Sequence, residues 1–83
     1  MMEKLNIGDA VEALKANKRV FRTGWNAKGI WLAIHVDLPH PEMMLPYICL
    51  FYPEGHEVYP TGYRILWSPT QADILGNDWQ VIQ

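Results

Sequence analysis

Between Asn6 and Ala16 the apolar residues Ile7, Ala10, Val11 and Leu14 recur at i, i+3, i+4 and i+7, the spacing that lines one side of an α-helix. Asn6 suits the N-cap, Asp9 and Glu12 lie early and Lys15 late, the order that the helix dipole favours. Asn17 is a reasonable stop. Beyond it the period shortens from helical to alternating. Arg19-Val20-Phe21-Arg22 reads as a short strand and Thr23 to Gly29, with two glycines and Asn26, as a turn. Ile30 to Val36 is β-branched and aromatic enough for a second strand, so the segment predicts a hairpin.

Asp37 to Pro46 holds three prolines and cannot be a central strand, because each lacks the N–H that a ladder requires. Tyr47 to Tyr52 is the most strand-like run in the chain, and Pro53-Glu54-Gly55-His56 is a turn. His56 to Tyr59 reads as a short edge strand and Tyr63 to Trp67 as another extended segment. Ser68-Pro69-Thr70-Gln71 then offers a serine N-cap, proline at the first helical position and glutamine at the third, a capping box that predicts a helix from Pro69 to Leu75. Gly76 ends it, and Asp78 to Ile82 alternates as a last strand. The expected fold class is α+β: one domain over residues 1–83, with an N-terminal amphipathic helix on a mainly antiparallel sheet and a short capped helix before the final strand.

Composition adds a constraint on stability. A chain of 83 residues buries only about 60 to 65% of the surface its unfolded form exposes, close to the minimum for a core that stands alone. The single cysteine, Cys49, excludes an intrachain disulfide. Self-association is the remaining common supplement, so a homo-oligomer is expected. No apolar run approaches the roughly 18 to 20 residues of a spanning helix, and the start Met-Met-Glu-Lys lacks the apolar stretch of a signal peptide, so the chain reads as soluble and cytoplasmic, with no membrane partner.

Charge narrows the partners. Six of the seven basic residues (Lys4, Lys15, Lys18, Arg19, Arg22, Lys28) stand in the first 28 positions with three acids, whereas the remainder holds Arg64 against six acids, giving +3 and −5. A net charge of −2 disfavours polymeric nucleic acid, whose affinity rests on many Lys and Arg contacts. A small anionic ligand is still compatible. Alternatively, the split helps two surfaces of one fold, or two subunits, to fit together.

Catalytic motifs are missing: there is no phosphate loop of Walker type, no G-x-G-x-x-G, no nucleophile elbow and no H-E-x-x-H. His35, His40 and His56 fall on a strand, a proline-rich loop and a turn, in a spacing that matches no metal-ligand motif, and Cys49 lies in the most apolar strand, where a buried inert thiol is expected. The sequence therefore predicts neither catalytic residues, nor a metal, nor a cofactor.

Recognition of a planar or phosphorylated ligand has better candidates. Trp25 stands in a turn beside Arg22, Gly24 and Asn26, where an indole face, an amide and a guanidinium can converge on a nucleobase and its phosphates. The competing reading makes Trp25 a core plug. Around Ser68, Gln71 and Asp73 the helix start offers N–H groups to phosphate or ribose oxygens, and Asp73 can accept from ribose hydroxyls or a base amine. The competing reading has Ser68 and Gln71 merely capping their own helix, an excuse that Asp73 lacks. Trp31, Trp67 and Trp79 have strand-like contexts that suit core or subunit-interface packing.

These residues carry a resemblance. Arg22-Thr-Gly-Trp25-Asn26 after an amphipathic helix, Pro46-Tyr47-Ile48, and Trp67-Ser-Pro-Thr-Gln-Ala-Asp73-Ile-Leu75 followed by Asp78-Trp79 together resemble the small phage and prophage domain of the Thoeris anti-defence 2 family, over nearly the whole chain. The resemblance implies a non-catalytic sponge. Members bind, without cleaving, the cyclic ADP-ribose isomers that signal infection in Thoeris systems, and some hold cyclic di- or trinucleotides at separate sites. It further implies a homotetramer with pockets between subunits, in which Trp25 stacks on the base and Gln71 and Asp73 make polar contacts. Asn26 and Arg22 join that set on local grounds. Two departures from the family are Gly76, where Ala is frequent and the exchange is expected to be harmless, and the loop from Asp37 to Pro46. The alternative is a protein-binding inhibitor or interaction module with no small-molecule ligand.

Overall fold

The computed structural model describes residues 5–25, 29–35, 46–57 and 61–82. The elements are α1 (Ile7–Lys15), β1 (Arg19–Arg22), β2 (Trp31–His35), β3 (Tyr47–Glu54), β4 (Thr61–Leu66), α2 (Gln71–Leu75) and β5 (Trp79–Ile82). The α+β class, the leading helix and the short helix before the last strand are as expected. The five strands form one antiparallel sheet in the order β4-β3-β2-β1-β5.

Both ends of α1 are closed by the chemistry that its sequence carries. The Asn6 side chain accepts from the Asp9 N–H at 2.8 Å while Asp9 accepts from the Asn6 N–H at 3.2 Å, a reciprocal capping box. At the far end Asn17 takes a positive φ of 65°, with Asn17 N–H donating to Leu14 O and Lys18 N–H to Ala13 O, the Schellman pattern. The helix buries Ala10 and Leu14 against β1, β2 and β5.

Strand register sorts the side chains onto two faces. Val20 pairs with Leu32 and Val81, and Leu32 with Leu50, so these residues share the face under α1. Together with Ala10, Leu14 and the fully buried Trp79 they form the core. The alternate positions Phe21, Trp31, Cys49, Phe51 and Leu66 point to the other face, which neither helix covers.

Three local expectations are corrected. The N-cap of α2 is Thr70 rather than Ser68, and the helix begins at Gln71 rather than Pro69. β3 continues through Pro53 to Glu54, because its pairing with β2 stops at Phe51 opposite Trp31, where β2 begins, and proline has no ladder partner on that side to deprive. The turn itself closes as expected, with His56 N–H donating to Pro53 O at 3.2 Å and Gly55 at φ 87°. His56 and Glu57 lie outside any strand; residues 58–60, the rest of the expected edge strand, lie outside the described residues, as does the expected loop up to residue 45.

Candidate functional site

The site forms where β1 ends and β5 begins, with Asp73 of α2 hydrogen-bonded to a residue of each. Arg22, the last residue of β1, points to the helix-covered face beside two carboxylates. Its Nη1 donates to Asp73 Oδ1 at 2.9 Å and its Nε to Asp78 Oδ1 at 2.7 Å. The side chains of Arg22 and Asp73 are only 15% and 9% exposed, so water screens that pair little, while Asp78 at 30% is more open to solvent.

Asp73 joins three segments. Its Oδ1 also accepts from the Trp25 indole N–H at 3.0 Å, and its Oδ2 accepts from the Thr70 N–H at 3.0 Å while Thr70 Oγ1 accepts from the Asp73 N–H at 3.2 Å. The Asp73 carbonyl receives the Trp79 indole N–H at 3.1 Å. Sequence reasoning found no structural task for Asp73; the fold supplies a capping box, an ion pair and an indole bond. Burial works against its ionised form, but the Thr70 N–H, the Trp25 indole and the Arg22 guanidinium outweigh it and hold the carboxyl below its ordinary range. Asp78 is held low chiefly by the hydrogen bond from Arg22, against a smaller opposing effect of burial, with the Gly24 N–H adding to it. Arg22 is raised in return, chiefly by Asp78.

Tryptophans supply the apolar half. Trp79 meets Trp25 edge-on at 5.6 Å between ring centroids and Trp67 at 5.9 Å, so the two outer indoles are braced on one buried ring. Between Trp25 and Trp67 opens a cavity of about 320 Å³, lined further by Ile30, Leu50, Ile65, Leu66, Ser68 and Asp73. Trp25 is thus half-buried, bracing the core on one side and walling the cavity on the other.

The residue pattern and the fold now converge with two comparisons. The model of the Thoeris anti-defense 2-like domain matches residues 5–82. The chain belongs to that family. A relative named Thoeris anti-defense 2, from Bacillus phage SP01, is 27% identical over 94 aligned residues, which cover 99% of each chain. The family description assigns an anti-defence role directed at Thoeris.

Within this family member the candidate residues fall into three groups. Trp25, Ser68 and Asp73 line the cavity. Arg22 stands behind it with its guanidinium engaged by two carboxylates, so it does not present the free charge expected for phosphate. Gln71 is exposed at the first position of α2, and Asn26 lies outside the described residues. Sequence reasoning missed Trp67 as a pocket wall, although its place shortly before the α2 cap was a usable signal, and gave Asp78 a place in the last strand and in the family pattern but no role at the site. Gly76 lies close against the ion pair. A Cβ there would stand 3.0 Å from Ala72 O and Asp78 Oδ1 and 3.1 Å from Arg22 Cζ, crowding the ion pair. Among the described residues no group of three His, Cys, Asp or Glu side chains is arranged to hold a metal ion.

Proposed function

We propose that the protein is a sponge, which sequesters a cyclic nucleotide immune signal of the cyclic ADP-ribose class without cleaving it. The observation that carries this reading is the open cavity walled by Trp25 and Trp67, with an apolar floor of Ile30, Leu50 and Ile65 and the Ser68 hydroxyl at its edge. Two indole walls suit a flat nucleobase, and stacking of a base on an aromatic ring is worth about 1 to 3 kcal/mol. A cavity of about 320 Å³ is at the low end for small-molecule sites, which fits one base and its sugar rather than a whole cyclic dinucleotide. The rest of the ligand lies outside it, where a second copy of the chain completes the enclosure.

Retention without turnover has its own support. Both oxygens of Asp73, the carboxylate at the cavity, already accept hydrogen bonds, and its lowered pKa makes it a poor proton carrier near neutral pH. The name of the phage relative, Thoeris anti-defense 2, agrees with interception of a Thoeris signal. The test incubates the protein with cyclic ADP-ribose isomers, removes free ligand, denatures the protein by heat and analyses what is released. Intact signal supports a sponge; a hydrolysed product supports an enzyme; no depletion of any cyclic nucleotide supports a protein-binding inhibitor.

One observation favours protein contacts in addition. The sheet face opposite the helices carries Trp31 stacked on Phe51 at 5.8 Å, Arg19 over the Trp31 ring at 5.3 Å, and Leu66 at 69% exposure. We assign that face to self-association, which supplies a small core with additional burial.

A further inference from the structure

We infer that Asp78 is the positioning residue of the pocket: it sets the orientation of Trp25 by clamping the turn that carries it, without facing the cavity. The inference rests on the binding reading above only for its consequence, not for the clamp itself.

Asp78 sits one residue before β5 and holds the Thr23–Trp25 turn at both main chain and side chain. Its carbonyl accepts from the Thr23 N–H at 3.2 Å, extending the β1·β5 ladder one step past Arg22 and Trp79. Its Oδ2 accepts from the Gly24 N–H at 2.7 Å, with the Thr23 hydroxyl at 3.4 Å, while Oδ1 takes Arg22 Nε. The turn then closes on itself through Trp25 N–H to Arg22 O at 3.3 Å. The Trp25 backbone is thereby fixed on one side by Asp78 and its indole N–H on the other by Asp73. Arg22 bridges the two carboxylates, which makes the arrangement a closed circuit: Asp78, the turn, Trp25, Asp73, Arg22 and back to Asp78. Closed polar circuits of this kind hold their members more firmly than the separate bonds would.

Two glycines carry an independent mark of the same clamp. A Cβ on Gly24 would stand 2.7 Å from Asp78 Oδ2, closer than such atoms approach, and one on Gly76 would stand 3.0 Å from Oδ1. The carboxylate is therefore seated between two positions that have no side chain, and neither glycine is required there by a positive φ. At Gly24 it is space for Asp78, not backbone freedom, that the missing side chain supplies.

The experiment uses the full chain labelled with 5-fluorotryptophan, its four ¹⁹F resonances assigned by single Trp→Phe variants. In the free protein, Asp78→Ala is expected to shift or broaden the Trp25 resonance while leaving that of Trp31, on the opposite face, in place. Asp78→Asn, which keeps an oxygen for the Gly24 N–H, is expected to restore most of the Trp25 position. Gly24→Ala should reproduce the Asp78→Ala effect, and combining the two should add little. Affinity for cyclic ADP-ribose isomers should fall about tenfold in Asp78→Ala, within the range of coupling between contacting residues. A Trp25 resonance unmoved in both folded single variants overturns the inference. Because the fluorine readout needs no ligand, failure of the wild type to retain any cyclic nucleotide counts against the binding reading alone. Should Asp78→Ala not fold, the Gly24→Ala spectrum decides on the same criterion.

Discussion

The indole N–H of Trp25 donates to Asp73 Oδ1 at 3.0 Å across 48 positions of sequence, on the same oxygen that receives Arg22 Nη1. One carboxylate thus ties the turn after β1 to the cap of α2. Replacing it with an amide keeps one oxygen for the Trp25 and Arg22 donors but turns an NH2 group onto the Thr70 N–H, and removes the negative charge beside a guanidinium that is 15% exposed. Asp73→Asn is expected to destabilise the fold by about 2 to 4 kcal/mol, and Trp25→Phe, which forfeits one neutral donor, by about 1 kcal/mol. Urea unfolding of the two variants checks the ranking, which would be refuted by a larger loss in Trp25→Phe.

Acid should reach the same network. Asp73 and Asp78 are both held below the ordinary carboxylate range in the folded protein. The unfolded chain then binds more protons than the native one in acid, so the stabilisation is full above the ordinary range and is lost as pH falls through the lowered folded values. Urea midpoints should be level from pH 7 to about pH 5 and decline below about pH 4. In Asp78→Asn the decline should be shallower, since one of the two shifted groups is gone. A midpoint that rises on acidification, or an unchanged slope in that variant, would contradict the assignment.

Separating the cap from the pocket needs a pair of hydroxyl deletions. Thr70 is the N-cap of α2, whereas Ser68 is exposed and touches the cavity. Thr70→Ala should cost about 1 kcal/mol of stability. Ser68→Ala should change stability by no more than about 0.5 kcal/mol yet weaken retention of cyclic ADP-ribose isomers. The reverse pattern in thermal melts and ligand retention would restore Ser68 as the cap.

How much of this was readable beforehand follows from the range of the forces concerned. The α1 stripe, its Asn6 cap and the stop at Asn17 are local, and each is realised as its own residues dictate. The α2 start was misplaced by two residues because Ser68 and Thr70 are both competent caps, and only the Asp73 carboxylate, itself held by Arg22, selects Thr70. The hairpin of β1 and β2 was legible; the placement of β5 beside β1 was not, since alternation in Trp79 to Ile82 names no neighbour. The same gap hid Asp78. Its partners lie 54 to 56 positions away, and nothing short of the strand order brings them together. Trp25, Ser68 and Asp73 were found because turn and cap chemistry marks such positions locally, while Trp67 was assigned to packing by its strand-like surroundings.

The sheet face opposite the helices yields the last prediction. Register places Ala33, Cys49 and Leu66 side by side in one row, with Trp31 and Phe51 stacked in the next. Cys49 in that row is buried, but Leu66 at the β4 edge is 69% exposed in the isolated chain. An apolar edge of this kind is a liability in a monomer and a contact in an assembly. Light scattering of the wild type should therefore give a mass that is a multiple of 9.6 kDa. Leu66→Glu should return it towards a single chain with the far-UV spectrum retained, because the substituted side chain has little protein around it to lose. If the second copy also closes the cavity over its ligand, wild type diluted until it dissociates should retain cyclic ADP-ribose isomers at least about tenfold less well, a readout that leaves the cavity-lining Leu66 in place. A wild type that stays monomeric at tens of micromolar and binds fully would remove both the assembly and the shared pocket.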